Sequence, residues 1–434
     1  MQTLAQTWQV LSAFFIQDQG IVPYLLMFVP FVLFLELPLY VISWFGVFRY
    51  TARISYDTPF APPYTPKVTC AITCYAEGQA VQNTVISLLE QTYSGHIEII
   101  AMVDGVQKNQ ATYQALKELV PHIGRYSQRS LIIIPKIQRG GRVSSLNAGL
   151  SRSTGEIFLA LDGDTSFDNQ MVHRASAHFR NANVVAVTGP MRVRNASASI
   201  VTRLQSLEYM LSMQAGKLGL TEINVINNVP GAFGIFRKSF LQQIGGWNTG
   251  TAEDLDLTLR IKQYQGRHPE LRFEFEPGAV SHTDVPDKLI DFLKQRLRWD
   301  GDLLYIYANK HRLGISASIM GCNNFIFIMW YGILFQIVMP FTIVLYMIYM
   351  IVVLPMPFFL ASMTLVYLFY FCLTLIQFLL YLAVISDRPR KDSSAFLIIP
   401  IYPLFQFAVR LWSALAISNQ ILNKGHLDSA MAPF

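Results

Sequence analysis

Charge is scarce in this sequence. Only 14% of its 434 residues are Asp, Glu, Lys or Arg, against about a quarter in an ordinary soluble domain, and the run 313–386 has none. No Lys or Arg precedes Arg49, so the chain start lacks the basic segment of a cleaved export signal, and none is expected. Cysteine is thin as well, with four scattered residues. Cys70 and Cys74 share one face of an apolar run, but no second pair completes a zinc site. They read as buried packing residues, and no disulfide is required in a cytosolic domain. Basic residues outnumber acidic ones to give a net charge of +6, yet they form no dense run interleaved with aromatics. A nucleic-acid partner is therefore not expected.

What is abundant is apolar: 52% of the residues, with a mean hydropathy of +0.34. These residues are clustered. The charge-free run is long enough for two spans of about 20 residues each, with a break at Pro355-Met356-Pro357. Residues 395–421 make a third candidate and residues 21–48 another. Arg49, Arg53 and Lys67 follow the first candidate, and Arg388, Arg390 and Lys391 precede the last. The excess of Lys and Arg marks both regions as cytosolic. Four spans follow, with the N-terminus outside, residues 49–312 inside and the C-terminus outside. The expected organisation is an N-terminal segment with one transmembrane helix (1–48), a cytosolic domain (49–285), an interfacial helix (286–312), about three transmembrane helices (313–421) and a short tail (422–434).

Within the cytosolic segment, apolar strands alternate with helical spacing. Residues 68–74, 97–103, 131–134 and 157–161 read as strands and 80–91 as a helix. Near-continuous apolar strands separated by helices predict an α/β domain with a mostly parallel sheet, whose ligands bind at the carboxyl ends of the strands. Asp104 follows the second strand, and Asp162 and Asp164 follow the fourth. Two carboxylates at i, i+2 flanking Gly163 suit one hard cation, Mg2+ or Mn2+; an Asp-Gly-Asp turn accounts for the same spacing. Arg139-Gly140-Gly141-Arg142 precedes a helix start and favours phosphate, although a solvated basic turn fits it too.

Glu253 and Asp254 fall in a first helical turn, where acids also suit the helix dipole. In Gln295-Arg296-Leu297-Arg298-Trp299, helical spacing puts Gln295, Arg298 and Trp299 on one face. Leu289, Leu293, Leu297 and Leu304 lie roughly opposite, the pattern of an amphipathic helix on a membrane surface. Arg296 and Asp300 break the apolar side, and their i, i+4 spacing lets them pair there. Arg410, inside the last apolar stretch, should avoid lipid and either line a channel or pair with a group such as Glu36.

The order Asp104, Asp162-Gly163-Asp164, Glu253-Asp254 and Gln295–Trp299 resembles the processive membrane-bound family 2 glycosyltransferases, the cellulose, hyaluronan, chitin-oligosaccharide and poly-N-acetylglucosamine synthases. Val229–Phe233 and Thr283–Pro286 match as well, over about residues 66–305. Tyr75-Ala76-Glu77 departs from the usual Tyr-Asn-Glu, Asp104 lacks a second aspartate, Ala252 replaces a frequent threonine and Arg142 a common lysine.

The resemblance implies a GT-A fold and an inverting hexosyl transfer from a UDP-sugar (UDP-glucose or UDP-N-acetylglucosamine) to a growing β-linked polysaccharide, coupled to its translocation. It implies Asp254 as the general base, with Tyr75, Glu77, Asp104, Arg142, Asp162 and Arg298 at the donor. Gly231, Ala232, Glu253, Gln295 and Trp299 would meet the acceptor, and Asp162 and Asp164 would hold Mg2+ or Mn2+. The enzyme would sit in the inner (plasma) membrane, in contact with the lipid bilayer and with room for an accessory membrane subunit. Two other readings stay open: a membrane transferase adding one sugar to a lipid, and a non-catalytic scaffold in polysaccharide export.

Overall fold

The computed structural model describes residues 2–16, 32–56 and 64–423. It opens with helices α1 (Gln2–Ile16) and α2 (Leu37–Tyr56). Residues 21–31 of the first apolar candidate lie outside the described residues, and α2 with the preceding turn Val32–Glu36 covers the remainder.

The strands form where β-branched, apolar runs can be buried on both faces. A seven-stranded sheet has the order β3 (Arg129–Pro135), β2 (Ile97–Val103), β1 (Val68–Cys74), β4 (Ile157–Asp162), β8 (Phe233–Arg237), β6 (Val184–Thr188), β9 (Arg272–Phe275). The first four are parallel, with Val68 opposite both Ile97 and Ile157. Only β8 runs against its neighbours β4 and β6, so the expected mostly parallel sheet is present. A smaller sheet joins β5 (Ser166–Phe167), β10 (Ser281–Thr283) and β7 (Met191–Val193).

Crossover helices cover both faces. Cys70, Ile72 and Cys74 pack towards α3 (Ala80–Leu89) and α4 (Gln110–Leu119), both cysteines on one face as alternation predicts. Ala71 and Phe158 pack on the opposite face against α5 (Gly141–Arg152) and Trp247. Further along come α6 (Met171–His178), α7 (Ile200–Glu208), α8 (Lys217–Glu222), α9 (Lys238–Gln243), α10 (Glu253–Gln265) and α11 (Leu289–Leu304).

The charge-free run folds into α12 (Ala317–Met320) and two helices long and apolar enough to cross a membrane, α13 (Cys322–Val353) and α14 (Met356–Val384), broken at Pro355 as expected. The stretch expected at 395–421 is not one straight helix. Pro389–Ile398 meets α15 (Tyr402–Asn423) at a 71° bend, because Pro400 and Pro403 remove backbone donors and crowd the preceding turn.

Two close approaches fix how these parts meet. A Cβ on Gly46 of α2 would stand 2.0 Å from the Gly219 carbonyl oxygen of α8, and one on Gly219 would stand 1.9 Å from the Ser43 carbonyl oxygen. Only glycine permits this crossing. Beside it, Glu222 accepts from Arg53 (2.9 Å) and faces Arg49 (3.5 Å). On the other side α11 lies along α15, with Trp412 Nε1 donating to the Leu293 carbonyl (2.9 Å).

Candidate active site

The carboxyl ends of β1 and β4 deliver the first acids. Asp162 ends β4, and Gly163 lets the chain turn closely: a Cβ there would stand 2.9 Å from the Glu77 carboxyl carbon. Asp164 is exposed beyond it. Glu77 folds back so that Oε1 accepts from the Tyr75 amide (2.8 Å), while its Oε2 is buried with no hydrogen-bond partner. Burial pushes the Glu77 carboxyl up, and the Asp164 charge adds to it.

Arg142, in the first turn of α5, is tied down by protein. It pairs with Asp162 and with Glu253 Oε1 (2.7 Å), and donates to Thr73 Oγ1 (2.8 Å) and the Gly231 carbonyl. Its guanidinium therefore binds the strand-end acids to the Glu253 turn, which is a different placement from a cation held open for phosphate. Asp104 is also committed. Its Oδ1 accepts from Lys136 Nζ (2.6 Å) and the Gly140 amide (2.9 Å), and its Oδ2 from the Gly141 amide (2.8 Å). At 4% exposure it fastens the Arg139–Arg142 loop, and it is absent from the lining of the large cavity that holds the other acids. Sequence reasoning missed Lys136, since only the fold brings it to Asp104.

The second acidic turn follows Ala252, a non-glycine residue at φ 42°, a left-handed conformation that L-residues rarely take. The turn presents Glu253 to Arg142 and Asp254 to the cavity. Asp254 Oδ1 accepts from the Leu255 amide (2.7 Å) and Oδ2 from Asn228 Nδ2 (2.6 Å). It keeps some surface open to the cavity, but protein surrounds it closely enough that burial, followed by the Glu253 charge, holds its carboxyl above the ordinary range.

Helix α11 supplies the third wall. Gln295, Arg298 and Trp299 all face the cavity. Arg298 stands near Asp302 and Glu253. Asp302, not singled out in the sequence, is pushed up to about 6 by burial. The Arg296–Asp300 pair that the spacing allows is not what forms. Arg296 donates to Glu208 of α7, while Asp300 accepts from Ser413 of α15 (2.6 Å). Both partners come from other elements, which helical spacing cannot reveal. Nor does the leucine side bury evenly: Leu289 is exposed.

These walls enclose one cavity of about 1540 Å3, larger than the roughly 300–1,000 Å3 of a small-molecule site. Asp162, Asp164, Gly231, Ala232 and Asp254 line one end, with Tyr75 and Glu77 beside them. The cavity continues past Trp299 between α2, α13, α14 and α15 to Glu36, Tyr370, Gln377 and Arg410. Arg410 lies over the Phe335 ring at 4.0 Å, donates to the Phe335 carbonyl (3.3 Å) and is within electrostatic reach of Glu36. Arg410 thus lines the cavity, while its contacts are to Phe335 and no ion pair to Glu36 forms among the described residues.

A family profile described as "Glycosyl transferase family group 2" matches residues 157–385. Among curated relatives, a poly-beta-1,6-N-acetyl-D-glucosamine synthase of Staphylococcus aureus (strain COL) is 28% identical over 260 residues, 58% of this chain and 59% of that protein. The synthase of the same name from Staphylococcus epidermidis is 29% identical over 230 residues, 52% of each. The chain thus spans little more than half the length of the curated relatives it matches. A solved mannosyltransferase from Pyrobaculum calidifontis, in complex with GDP-Man and Mn2+, superposes with a TM-score of 0.51 at 15% identity, over 89% of this chain and 98% of that one. It supports the GT-A-like α/β fold.

Proposed function

The chain belongs to glycosyl transferase family group 2, and on that footing we propose that it is an inverting transferase building a β-linked polysaccharide from a UDP-sugar. The stretch similar to poly-N-acetylglucosamine synthases makes UDP-N-acetylglucosamine the first donor to test and UDP-glucose the second. The observation that carries the reading is the single cavity running from Asp254 and Asp164 into the space between the long apolar helices. A product made at the carboxylates has a lined way into the membrane region. The proposed setting is a multi-pass inner-membrane protein with the sheet domain cytosolic and both termini outside, which the Lys and Arg distribution supports.

In this reading Asp254 accepts the proton from the acceptor hydroxyl as its oxygen attacks the anomeric carbon. The bond to the diphosphate breaks, and Arg298 receives the charge on the departing group through a planar fork suited to phosphate. Trp299 offers its ring to the acceptor sugar, and Gln295 shares that face. Asp162 and Asp164 supply hard oxygens open to the cavity. Among the described residues no cluster of three or more metal-ligating side chains occurs. A two-carboxylate set fits Mg2+ or Mn2+, which keep water and diphosphate oxygens as their other ligands. Such an ion, when bound, neutralises charge on the leaving diphosphate.

Purified membranes given a panel of UDP-sugars should release UDP from one of them and accumulate polymer on a sizing gel. Release of UDP with a single-sugar lipid product would replace the synthase reading by lipid glycosylation. No release from any donor would remove the UDP-dependent reading.

A further inference from the structure

Behind the cavity wall lies a lysine that the reaction as described does not use. Lys217 begins α8 and is 2% exposed. Its Nζ donates to Asn227 Oδ1 (3.0 Å), the Asn228 carbonyl (2.6 Å) and Asn228 Oδ1 (2.7 Å). Three acceptors around one nitrogen use three N–H bonds, so the geometry asks for the ammonium form, although burial pulls the lysine down to about 7 against the Asp254 charge. With its Oδ1 turned to the ammonium, the Asn228 amide has one orientation left for its NH2 group: towards Asp254 Oδ2, at 2.6 Å. Asp254 Oδ1 is meanwhile held by the Leu255 amide. We propose that Lys217 is a positioning residue for the general base, acting through Asn228 to fix the rotamer of Asp254 and to favour its charged form.

This rests on Asp254 being the base, and it adds a residue outside the motifs that led there. The charged and titratable groups facing Asp254 come from several elements. Glu253 of α10 disfavours its ionisation, and Lys217 of α8 favours it. Asp302 of α11 and Tyr307 beyond it lie within electrostatic reach, and Lys262 of α10 lies within reach of Lys217. Glu253 itself pairs with Arg142; Lys217 acts on Asp254 in the opposite sense to Glu253, and Asn228 carries its effect as a hydrogen bond to one carboxylate oxygen. Lys217 does not touch Asp254 and acts on it only through Asn228. The step itself is unchanged: the acceptor oxygen bonds to the anomeric carbon, the bond to the diphosphate breaks, and the proton passes to Asp254.

The test compares the full-length wild type and Lys217→Met, reconstituted with the UDP-sugar that supports UDP release in the donor panel. A base works only when deprotonated, so kcat/KM rises with pH through its pKa. Removing the cation and freeing the amide should raise that pKa, and the acid limb should move upward by about one pH unit or more. On the acid limb kcat/KM should fall about tenfold or more while the affinity for UDP, measured by calorimetry, stays within about twofold. Part of the lost rate should return at alkaline pH. A Lys217 that only supports packing would lower folded yield, or kcat at every pH alike, and leave the limb in place; that result overturns the proposal. If Lys217→Met does not accumulate, Asn228→Ala carries the same expectation, since it leaves the lysine its contacts to Asn227 and the Asn228 carbonyl. An unmoved limb there also overturns it. An inactive wild type would instead remove the underlying reading of the enzyme, so the two failures are distinct.

Discussion

Asp254 holds its carboxyl above the ordinary range because burial and the Glu253 charge disfavour ionisation more than Asn228, Leu255 and Lys217 favour it. Activity should therefore fall as pH drops through a value above the usual ~4 for a free aspartate; initial rates of UDP release against pH would show it. Asp254→Asn should lower transfer by about 10²-fold or more without changing the elution profile of the purified protein. Asp164→Asn should do likewise, and chelation of wild type should stop turnover until Mg2+ or Mn2+ is restored. Near-normal UDP release by either variant would remove these assignments. Trp299→Ala should shorten the product on a sizing gel while leaving UDP affinity little changed, because stacking area is lost only on the acceptor side. Full-length polymer at the normal rate would make Trp299 a membrane anchor instead.

The elements that hold these residues were unequally legible. The four parallel strands were plain because each is an apolar run buried on both faces, and a run of that kind has few other uses. The Asp-Gly-Asp turn and the shared face of Gln295, Arg298 and Trp299 were equally local. What failed was partnership at long range. Spacing within α11 suggested Asp300 as the partner of Arg296, whereas the true one, Glu208, lies 88 positions away. Lys217 and Asn228 carried no signal at all, since their meaning depends on where α10 places Asp254.

Asp256, on the same helix as Asp254, is another such case. Its fully buried carboxylate meets Lys310 (2.7 Å), His311 (2.8 Å) and Arg260 (3.0 Å), and hydrogen bonds from His311 and Lys310 outweigh burial to hold it at about 2. A carboxyl depressed on folding adds stability that is full above ~4 and lost as pH falls through about 2, here about 2–3 kcal/mol. Asp256→Asn should lower the thermal midpoint in detergent at pH 7 and narrow the difference between variant and wild type near pH 2.

For the whole molecule, the cavity and the long helices belong to one arrangement, so the side of the membrane matters to the chemistry. A cysteine placed near Arg390 should be shielded from impermeant thiol reagents in intact cells, and one near Ala430 should react. The reverse pattern would separate the carboxylates from cytosolic UDP-sugars. The bare contact of Gly46 with Gly219 bears on the same geometry. It leaves no slack for α2 to slide along α8, and a methyl group at either position should cost about 1–3 kcal/mol and show as reduced recovery of folded protein. Because Lys217 stands two residues before Gly219 on that short helix, the pair of glycines works as a ruler. It sets how far Lys217, and through Asn228 the Asp254 carboxylate, stands from α2.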